Sequence, residues 1–267
     1  MKQIIIFKGG LGNQMFQYGM YTYRKRVLHR DVAYLYREGD HNGFEIDKYF
    51  DVDLCKAPLL YDMMYWFVWR LYKYGINRRL LWLKEDKEDD SKVIYINGYW
   101  LDKKYILHPG FDLKFKSLPL SDKNRSVAHA MQQSSSIAVH VRRGDYLSAG
   151  NIKLFHQLDT DYFTEAIRIC KEKTCSPHRL FFFSDDIAWV KENLKYDNAV
   201  YIDWNKGNDS IYDMYLMSLA SANVIANSTF SFWSAFLNKR KQAVVYPKKW
   251  FSNGDTRDIF PDEWIAL

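Results

Sequence analysis

The residues with the clearest chemical potential are a basic pair at the end of an apolar segment. Residues 137–141 carry β-branched side chains at alternate positions, a pattern typical of a buried strand. Because side chains alternate along a strand, His140 and Arg142 share one face and Arg143 takes the other. His140 and Arg142 therefore lie at the carboxyl end of the strand, where open α/β sheets bind ligands. A planar guanidinium there suits a bidentate grip on a phosphate.

The basic pair also has two simpler interpretations. Basic residues after a strand are often a solvated part of the surface. Arg143-Gly144-Asp145 also spells an adhesion tripeptide, which needs an exposed loop on a secreted protein. We expect no secretion, because the apolar start of the chain is too short for a signal peptide and leads into a glycine turn.

A glycine-rich turn follows the first predicted strand. Gly10, Gly12 and Asn13 come after the strand at residues 3–7 and open a helix. Glycines let the backbone approach a ligand closely, and the Asn13 amide could bind a phosphate or a sugar. The dinucleotide-binding fingerprint fails, because Met15 stands where its third glycine belongs. The alternative is a tight turn in which Asn13 caps the helix.

Polar side chains also follow a strand predicted at residues 179–183. Ser184, Asp185 and Asp186 come directly after this apolar run. A carboxylate at this edge can accept hydrogen bonds from a ribose hydroxyl or from a base edge. The simpler interpretation is helix capping, which both Ser and Asp perform well.

A further helix is predicted to begin directly after the strand at residues 222–226. Asn227, Ser228, Thr229 and Phe230 stand at this junction. Free backbone amides and the helix dipole make such a start an anion site, and the two hydroxyls add donors. Capping is the alternative for Ser228 and Thr229, and the spacing of Phe230 is more typical of core packing.

Alternation of strands and helices predicts the fold class. The second half alternates five predicted strands with helices, which indicates parallel βαβ units in an α/β fold. The first half opens in the same way, with strands at 3–7 and 32–36 around one helix. Polar, turn-rich sequence near 125–135 predicts a boundary, which gives domains 1–130 and 131–267.

The composition fits a globular protein with an anionic partner. The 267 residues are 48% hydrophobic and carry a formal net charge of +6. This charge favours a nucleotide or a phospholipid surface, and the scattered basic residues argue against nucleic acid. Cys55, Cys170 and Cys175 are too few for a disulfide framework or a cysteine zinc site. They favour a reduced, cytoplasmic setting.

The segment Leu59–Leu83 is rich in tryptophan and basic residues. Its charges interrupt it well before the ~20 apolar residues that a membrane span needs. Such a helix could lie on an anionic membrane, which would place the protein peripherally on the inner membrane face. The alternative is a core helix whose cations extend into water.

Two carboxylate pairs bear on a metal site. Asp51 with Asp53 and Asp159 with Asp161 have the spacing that holds a divalent cation beside nucleotide phosphates. Neither pair follows an apolar strand, so we expect no metal site. The three strand ends of the second half carry a guanidinium, carboxylates and a helix N-terminus. Together they suit a nucleoside diphosphate, with arginine in place of a metal.

Three segments resemble the α-1,2-fucosyltransferases, which are mostly bacterial at this length. They are residues 9–18 (GGLGNQMFQY), 140–146 (HVRRGDY) and 227–235 (NSTFSFWSA), in the order found in the family. The His-x-Arg-Arg-x-Asp element is shared with α-1,6- and protein O-fucosyltransferases, so alone it implies fucosyl transfer without a linkage. The first and third segments narrow the resemblance to α-1,2 transfer.

The resemblance implies a GT-B architecture, with two Rossmann-like domains facing a cleft. It also implies GDP-β-L-fucose as donor, inversion at the anomeric carbon, and no required metal or cofactor. The acceptor would be a galactose-terminated oligosaccharide or a lipid-linked glycan. Its site would lie in residues 40–110, which match the family least clearly. The two classes to distinguish are a fucosyltransferase, of this or another linkage, and a non-catalytic nucleotide-sugar-binding protein on the same fold.

The resemblance also assigns roles by position. Arg142 would bind the β-phosphate and stabilise the departing GDP, with His140 and Asn13 lining the same site. Contacts to the rest of the donor would come from Gly10, Gly12, Ser184, Asn227, Ser228, Thr229 and Phe230, and Asp185 or Asp186 would meet the nucleoside. Asp145 is a candidate general base, or it serves only to orient the neighbouring arginines.

Overall fold

The computed structural model of the chain describes residues 2–37, 42–74, 82–83, 93–254 and 258–267, without the side chains of residues 72, 73, 82, 83 and 145. The chain divides into two compact units, Met1–Lys116 and Ser117–Leu267. Each unit contains one parallel sheet with helices packed against it.

The first unit has a four-stranded parallel sheet. Its strands are β1 (Gln3–Phe7), β2 (Val32–Tyr36), β3 (Trp82–Leu83) and β4 (Tyr95–Asn97), in the spatial order β2-β1-β4-β3. Every residue of β1 is buried. A continuous apolar run is expected for a central parallel strand, because helices cover both of its faces.

Three α-helices accompany this sheet in the part of the first unit that the structure describes. They are α1 (Leu11–Thr22), extended by a π-helical turn at Tyr23–Val27, α2 (Ile46–Tyr49) and α3 (Leu59–Lys73). α1 begins directly after the glycine turn, and α3 packs Tyr65 and Val68 against Ile4 and Ile6 of β1. No described helix combines the length and the apolar character needed to cross a membrane.

The second unit has a six-stranded parallel sheet. Its strands are β5 (Ser135–Val141), β6 (His178–Ser184), β7 (Val200–Ile202), β8 (Ala222–Val224), β9 (Ala243–Tyr246) and β10 (Ile265–Ala266). Their spatial order is β10-β9-β8-β5-β6-β7. The helices are α4 (Asp122–Gln133), α5 (Asn151–Leu154), α6 (Thr160–Lys173), α7 (Ile187–Asn193), α8 (Ser210–Met217) and α9 (Thr229–Phe236). The α/β class and the parallel βαβ organisation expected for this half are confirmed.

The two faces of the second sheet have separate cores. Val139 and Val141 of β5 pack with α6 and α7 on one face. Ala138 packs with α4 and α8 on the other. Alternation along the strand places His140 on the face of Ala138.

The boundary between the units lies earlier than residue 130. Residues 125–135 contain most of α4 instead of a linker. Ser121 caps this helix by accepting the N–H of Asn124 at 3.3 Å, and the apolar side of α4 belongs to the core of the second sheet. A helix with so polar a surface has the composition of a loop, which explains the difference.

Candidate active site

The order of strands in the second sheet reverses between β5 and β8. The chain passes from β5 to β6 and β7 on one side, and β8 then returns to the other side of β5. In open α/β sheets such a reversal leaves a crevice at the carboxyl ends of the two strands, where ligands bind. His140 and Arg142 lie at the end of β5, and residues 227–229 follow β8. Two of the predicted motifs therefore meet at this switch point.

Arg142 is held by a carboxylate from the end of the adjacent strand. Its Nη1 lies 2.9 Å from Oδ2 of Asp185, and its guanidinium carbon lies 5.5 Å from the ring centre of Tyr146. About a third of its side chain, 30%, is exposed. Part of an oriented cation is therefore accessible to a ligand.

Asp185, for which a contact with a nucleoside stays a prediction, also has a role within the protein. One carboxylate oxygen pairs with Arg142 and the other accepts the N–H of Arg143 at 2.9 Å. It thus performs the orienting role considered for Asp145, whose side chain lies outside the described residues. A Cβ atom at Gly144 would lie 2.6 Å from Oδ2 of Asp185. Glycine is therefore needed there for the carboxylate to come this close.

Ser184 and Asp186 form the turn into α7. Ser184 Oγ accepts the N–H of Asp186 at 2.9 Å. Asp186 Oδ1 accepts the N–H of Trp189 at 3.2 Å and so caps the helix. Asp186 also lies 3.5 Å from the guanidinium of Arg143, which stacks 4.0 Å from the Trp189 ring centre. The capping interpretation holds for Asp186, and Ser184 supports the turn before the helix. A contact with the donor stays a prediction for both residues.

His140 is a neutral imidazole on the same strand. Its side chain is 6% exposed, and burial lowers its pKa to about 4, with Asp185 opposing the shift and Arg142 adding to it. Its Nδ1 has no hydrogen-bond partner in the described part of the chain. The ring centre lies 5.9 Å from that of Phe230. A buried imidazole with an unused nitrogen suits a hydrogen bond to a ligand better than it suits charge stabilisation.

The start of α9 completes the switch point. Its N-cap residue, Ser228, has an extended backbone and makes no side-chain capping hydrogen bond, so the capping interpretation fails for this residue. First-turn amides lack partners within a helix, and the dipole makes that end positive. Thr229 and Phe230 belong to this first turn. The site therefore combines a guanidinium with a helix N-terminus, which suits a diphosphate.

Asn227 braces the loops around the site. Its amide donates to the carbonyls of His156 and Trp250, both at 2.8 Å. Its own carbonyl accepts the hydroxyl of Tyr146 at 2.9 Å. These bonds give Asn227 a structural role, and its contact with the donor stays a prediction. Tyr146, which the sequence analysis did not select, links the start of α9 to Arg142.

In the first unit, Asn13 is the residue of α1 that stays accessible. All other residues of this fully described helix are buried. Asn13 lies beside Gly9, which has a φ of +72° and where a Cβ atom would lie 2.8 Å from Nδ2 of Asn13. Gly10 has an ordinary φ of −69° as N-cap, and Gly12 is buried. The conformational demand thus falls on Gly9, and Asn13 remains placed to meet a ligand.

Two glutamines missed by the sequence analysis hold this region together. Gln14 donates to the carbonyls of Gly9 and Gly43, at 2.9 and 2.8 Å. Gln17 accepts the N–H of Lys8 at 3.0 Å and donates to the loop after β4. Both side chains are fully buried. Much of the first motif therefore serves to join loops at the carboxyl edge of the first sheet.

One carboxylate of each pair considered for a metal has a partner in the protein. Asp53 forms an ion pair with Lys25 at 2.8 Å. Asp159 caps α6 by accepting the N–H of Tyr162 at 3.0 Å. Across the described residues, no three His, Cys, Asp or Glu side chains are grouped so as to hold a metal ion.

A further carboxylate lies in the first turn of α8. Asp213 accepts the side-chain amide of Asn205 at 2.7 Å, and burial raises its pKa to about 7. Asn205 also bonds to Asn124, which accepts the indole N–H of Trp204 at 2.8 Å. α8 packs on the face of the sheet that carries His140, and its first turn lies at the carboxyl edge. The sequence contains one indication of this carboxylate, because Asp213 is the single acid in an otherwise mostly apolar helix.

A cavity of about 450 Å³ opens on the opposite face, beside the start of α6. Its lining includes Asp159, Tyr162, Glu165 and Lys248, and none of the predicted site residues. The chemistry described above therefore lies at the switch point and not in this cavity.

Comparison with known sequences agrees with this geometry. The family model for Glycosyl transferase family 11 matches residues 2–267. An alpha-1,2-colitosyltransferase from Escherichia coli is 30% identical over 97% of this chain and 96% of its own length. A galactoside 2-alpha-L-fucosyltransferase from Caenorhabditis elegans is 30% identical over 48% of this chain and 39% of its own.

A solved structure agrees with the fold. Fucosyltransferase NodZ from Bradyrhizobium has a TM-score of 0.53 and 16% identity, and the match covers 89% of this chain and 92% of that one. At this identity the similarity concerns the fold alone, and it confirms the expected GT-B-like architecture. Since the family match spans both units and contains all three motifs, the chain belongs to glycosyl transferase family 11.

Proposed function

We propose that this glycosyltransferase moves L-fucose from GDP-β-L-fucose to the 2-hydroxyl of a terminal galactose. The observation that carries the proposal is Arg142, oriented by Asp185 at the switch point beside His140 and the start of α9. The relatives support the sugar and the linkage, because one is a galactoside 2-alpha-L-fucosyltransferase and another an alpha-1,2-colitosyltransferase.

The proposed mechanism centres on the leaving diphosphate. As the bond between the anomeric carbon and the diphosphate oxygen breaks, negative charge grows on GDP. The Arg142 guanidinium and the first amides of α9 bind that charge from preorganised positions. His140, which is uncharged because of its low pKa, adds a hydrogen bond between its Nδ1 and the donor. The acceptor oxygen attacks the anomeric carbon from the side opposite the diphosphate and loses its proton. Asp145 remains our candidate for the general base that accepts this proton.

We assign Asp213 to the recognition of guanine, the nucleobase of the donor. Guanine offers two N–H donors on one edge, from N1 and N2, and an ionised carboxylate can accept both. Asp213 has Asn205 as a neutral partner, and burial makes its charge costly, as its raised pKa shows. Recognition of guanine would explain why a carboxylate is kept at this position despite that cost.

The test is incubation with GDP-fucose and an acceptor that ends in β-galactose, followed by NMR assignment of the new linkage. We expect fucose on O2 of galactose, and fucose on another oxygen would contradict the linkage. GDP release that depends on the acceptor separates transfer from the non-catalytic alternative. Release that is absent, or equal without acceptor, would contradict the proposal.

A colitosyl donor is the second candidate. The Escherichia coli colitosyltransferase aligns with 97% of this chain, and colitose differs from fucose by the absence of the 3-hydroxyl. The two donors therefore share every group that the switch point would bind. Initial rates with GDP-fucose and GDP-colitose, measured on one acceptor, decide between them.

We also propose that transfer needs no metal or cofactor and takes place in the cytoplasm. Arg142 and α9 supply positive charge at the diphosphate. Cys55, Cys170 and Cys175 are free thiols, as is usual for proteins of reducing compartments. The acceptor would then be a galactose-terminated oligosaccharide or a lipid-linked glycan.

A further inference from the structure

Helix α3 is apolar on the side that faces solvent. Leu59, Leu60, Met63, Trp66 and Phe67 are exposed by 72, 63, 66, 60 and 66%. They lie one helical turn apart or side by side, so they form a single strip, which we call the outer strip of α3. A helix that is apolar all round is normally buried on all sides, so an exposed strip of this size indicates a contact surface.

The other side of α3 is fixed to the first sheet. Tyr65 and Val68 are 7% and 5% exposed and pack in the core with β1 and β2. The outer strip is therefore the opposite face of an anchored helix. Because the inner contacts stay in place, the strip can meet a partner without unfolding the helix.

An arginine secures the aromatic part of the strip. The guanidinium of Arg37 lies 4.8 Å from the ring centre of Tyr65 and 5.6 Å from that of Trp66. Arg37 also forms an ion pair with Asp62. This pairing neutralises the acidic residue of α3 next to the strip. The Trp66 ring packs edge-on against Trp69 at 6.2 Å.

In the sequence, basic residues outnumber acids in the segment that contains the strip. The segment Leu59–Leu83 contains four basic residues, Arg70, Lys73, Arg78 and Arg79, and one acid, Asp62. Arg70 is exposed and follows Trp66 and Phe67 by one helical turn. An acidic run at 85–90 comes after this segment and lies outside the described residues. The occupant of the strip should therefore combine an apolar interior with a negative surface.

We propose that the outer strip of α3 docks in the interface of an anionic phospholipid membrane. Trp66, Phe67 and Met63 enter the boundary between headgroups and acyl chains, and Arg70 meets the lipid phosphates. A second copy of the chain fits less well, because a symmetric contact would bring the exposed Arg70 of both copies to the same interface. The proposal is independent of the transferase activity and would bring the protein to the surface that carries lipid-linked acceptors.

The experiment is co-sedimentation of the full chain with vesicles of phosphatidylcholine alone or with phosphatidylglycerol, at low and moderate salt. We expect the bound fraction to be at least about tenfold higher on the anionic vesicles and to fall as salt rises. Trp66→Ser with Phe67→Ser should abolish the binding. The matched control is Leu107→Ser with Leu154→Ser, two residues that are 51% and 52% exposed elsewhere, and it should bind as the wild type does.

Further variants test charge and insertion separately. Arg70→Glu should weaken anionic binding, whereas Lys195→Glu makes the same change in net charge on the second unit and should not. Brominated lipids should quench the fluorescence of the wild type more strongly than that of Trp66→Phe, a substitution that keeps the strip apolar. Binding of GDP, which the proposed function assigns to the switch point of the second unit, should stay unchanged in all these variants. Failure here is therefore distinguishable from failure of the proposed function.

Two results would overturn the proposal. One is equal sedimentation with neutral and anionic vesicles. The other is a dimer in light scattering that Trp66→Ser dissociates, in a protein that does not bind vesicles. The second result would assign the strip to another copy of the chain.

Discussion

At the scale of single residues, two side chains at the end of β5 have different tasks at the switch point: one provides charge and the other a neutral hydrogen-bonding group. Arg142 supplies a guanidinium, a planar cation that can pair with a diphosphate through two parallel hydrogen bonds. His140 is uncharged above a pH of about 4, because burial lowers its pKa. The site therefore combines one oriented cation with a neutral imidazole whose Nδ1 has no hydrogen-bond partner among the described residues.

Arg142 tests this division directly. Arg142→Ala should lower kcat by a factor on the order of 10²–10³, because the charge of the leaving group develops in the transition state. Arg142→Lys should restore little of the loss, since a point charge lacks the planar fork that pairs with Asp185 and a phosphate. Steady-state rates on a soluble acceptor measure both variants. Near-normal turnover in both would remove Arg142 from the mechanism.

Asp213 should make donor binding depend on pH near neutrality. Its pKa is raised to about 7, so in the free protein it becomes protonated as the pH falls through that value. A protonated carboxyl cannot accept both guanine N–H groups, and the KM for GDP-fucose should therefore rise as the pH falls. Asp213→Asn should have a higher KM that no longer changes over this range. A wild-type KM that is flat across neutral pH would contradict the assignment.

The same residue should reduce stability in neutral and basic solution. An Asp with a folded-state pKa raised from 3.8 to about 7 binds its proton more tightly in the folded state, so stability falls as the pH rises between those values. The loss is complete above the upper value and is at most about 4 kcal/mol. Asp213→Asn should consequently raise Tm more in basic than in mildly acidic solution. Melting curves at both pH values check this sign.

At the scale of elements, the ends of β5 and β6 are held together by the close contact between Gly144 and Asp185. Gly144→Ala should lower kcat, because its Cβ atom would stand 2.6 Å from Oδ2 of Asp185 and displace the carboxylate that orients Arg142. Gly150→Ala is the matched control, since nothing lies within 4 Å of a Cβ atom there. Activity and Tm are measured for both. Equal activity in the two variants would show that the contact does not matter for catalysis.

The elements also show what the sequence can and cannot predict. The strand–helix alternation predicts the second sheet correctly, because buried parallel strands are continuous apolar runs between turn residues. It cannot separate a capping side chain from a ligand contact. Asp186 and Asn227 have the right residue types at the right strand ends, yet their hydrogen bonds go to the protein. Partners of this kind depend on loops distant in sequence.

Segments with mixed signals were harder to predict. α4 looks like a polar linker, because its buried side is only a few residues wide. Asp213 carries no motif of its own, and its significance comes from burial and from Asn205 in a neighbouring loop. The roles of Gln14 and Gln17 are equally hard to predict, because their hydrogen bonds reach loops that follow other strands. Long-range contacts therefore explain most of what the sequence left open.

At the scale of the whole molecule, the net charge of +6 includes cations at two separate surfaces for which we propose phosphate partners. In the second unit, the cation Arg142 lies at the switch point together with the positive end of α9. In the first unit, Arg70 borders the outer strip of α3. In both proposals positive charge meets phosphates, in one case those of a nucleotide sugar and in the other those of a lipid surface.

This use of fixed positive charge leads to the expectation that transfer is independent of divalent metal. A diphosphate leaving group needs compensating charge in the transition state, and Arg142 with the α9 amides can supply it in a fixed geometry. We therefore expect kcat and KM to be unchanged after exhaustive EDTA treatment, with elemental analysis of the treated protein as the control. Addition of Mg²⁺ or Mn²⁺ should not increase the rate. If activity were lost and either ion restored it, the diphosphate would depend on a metal, and Asp51 and Asp53 would be the first residues to substitute.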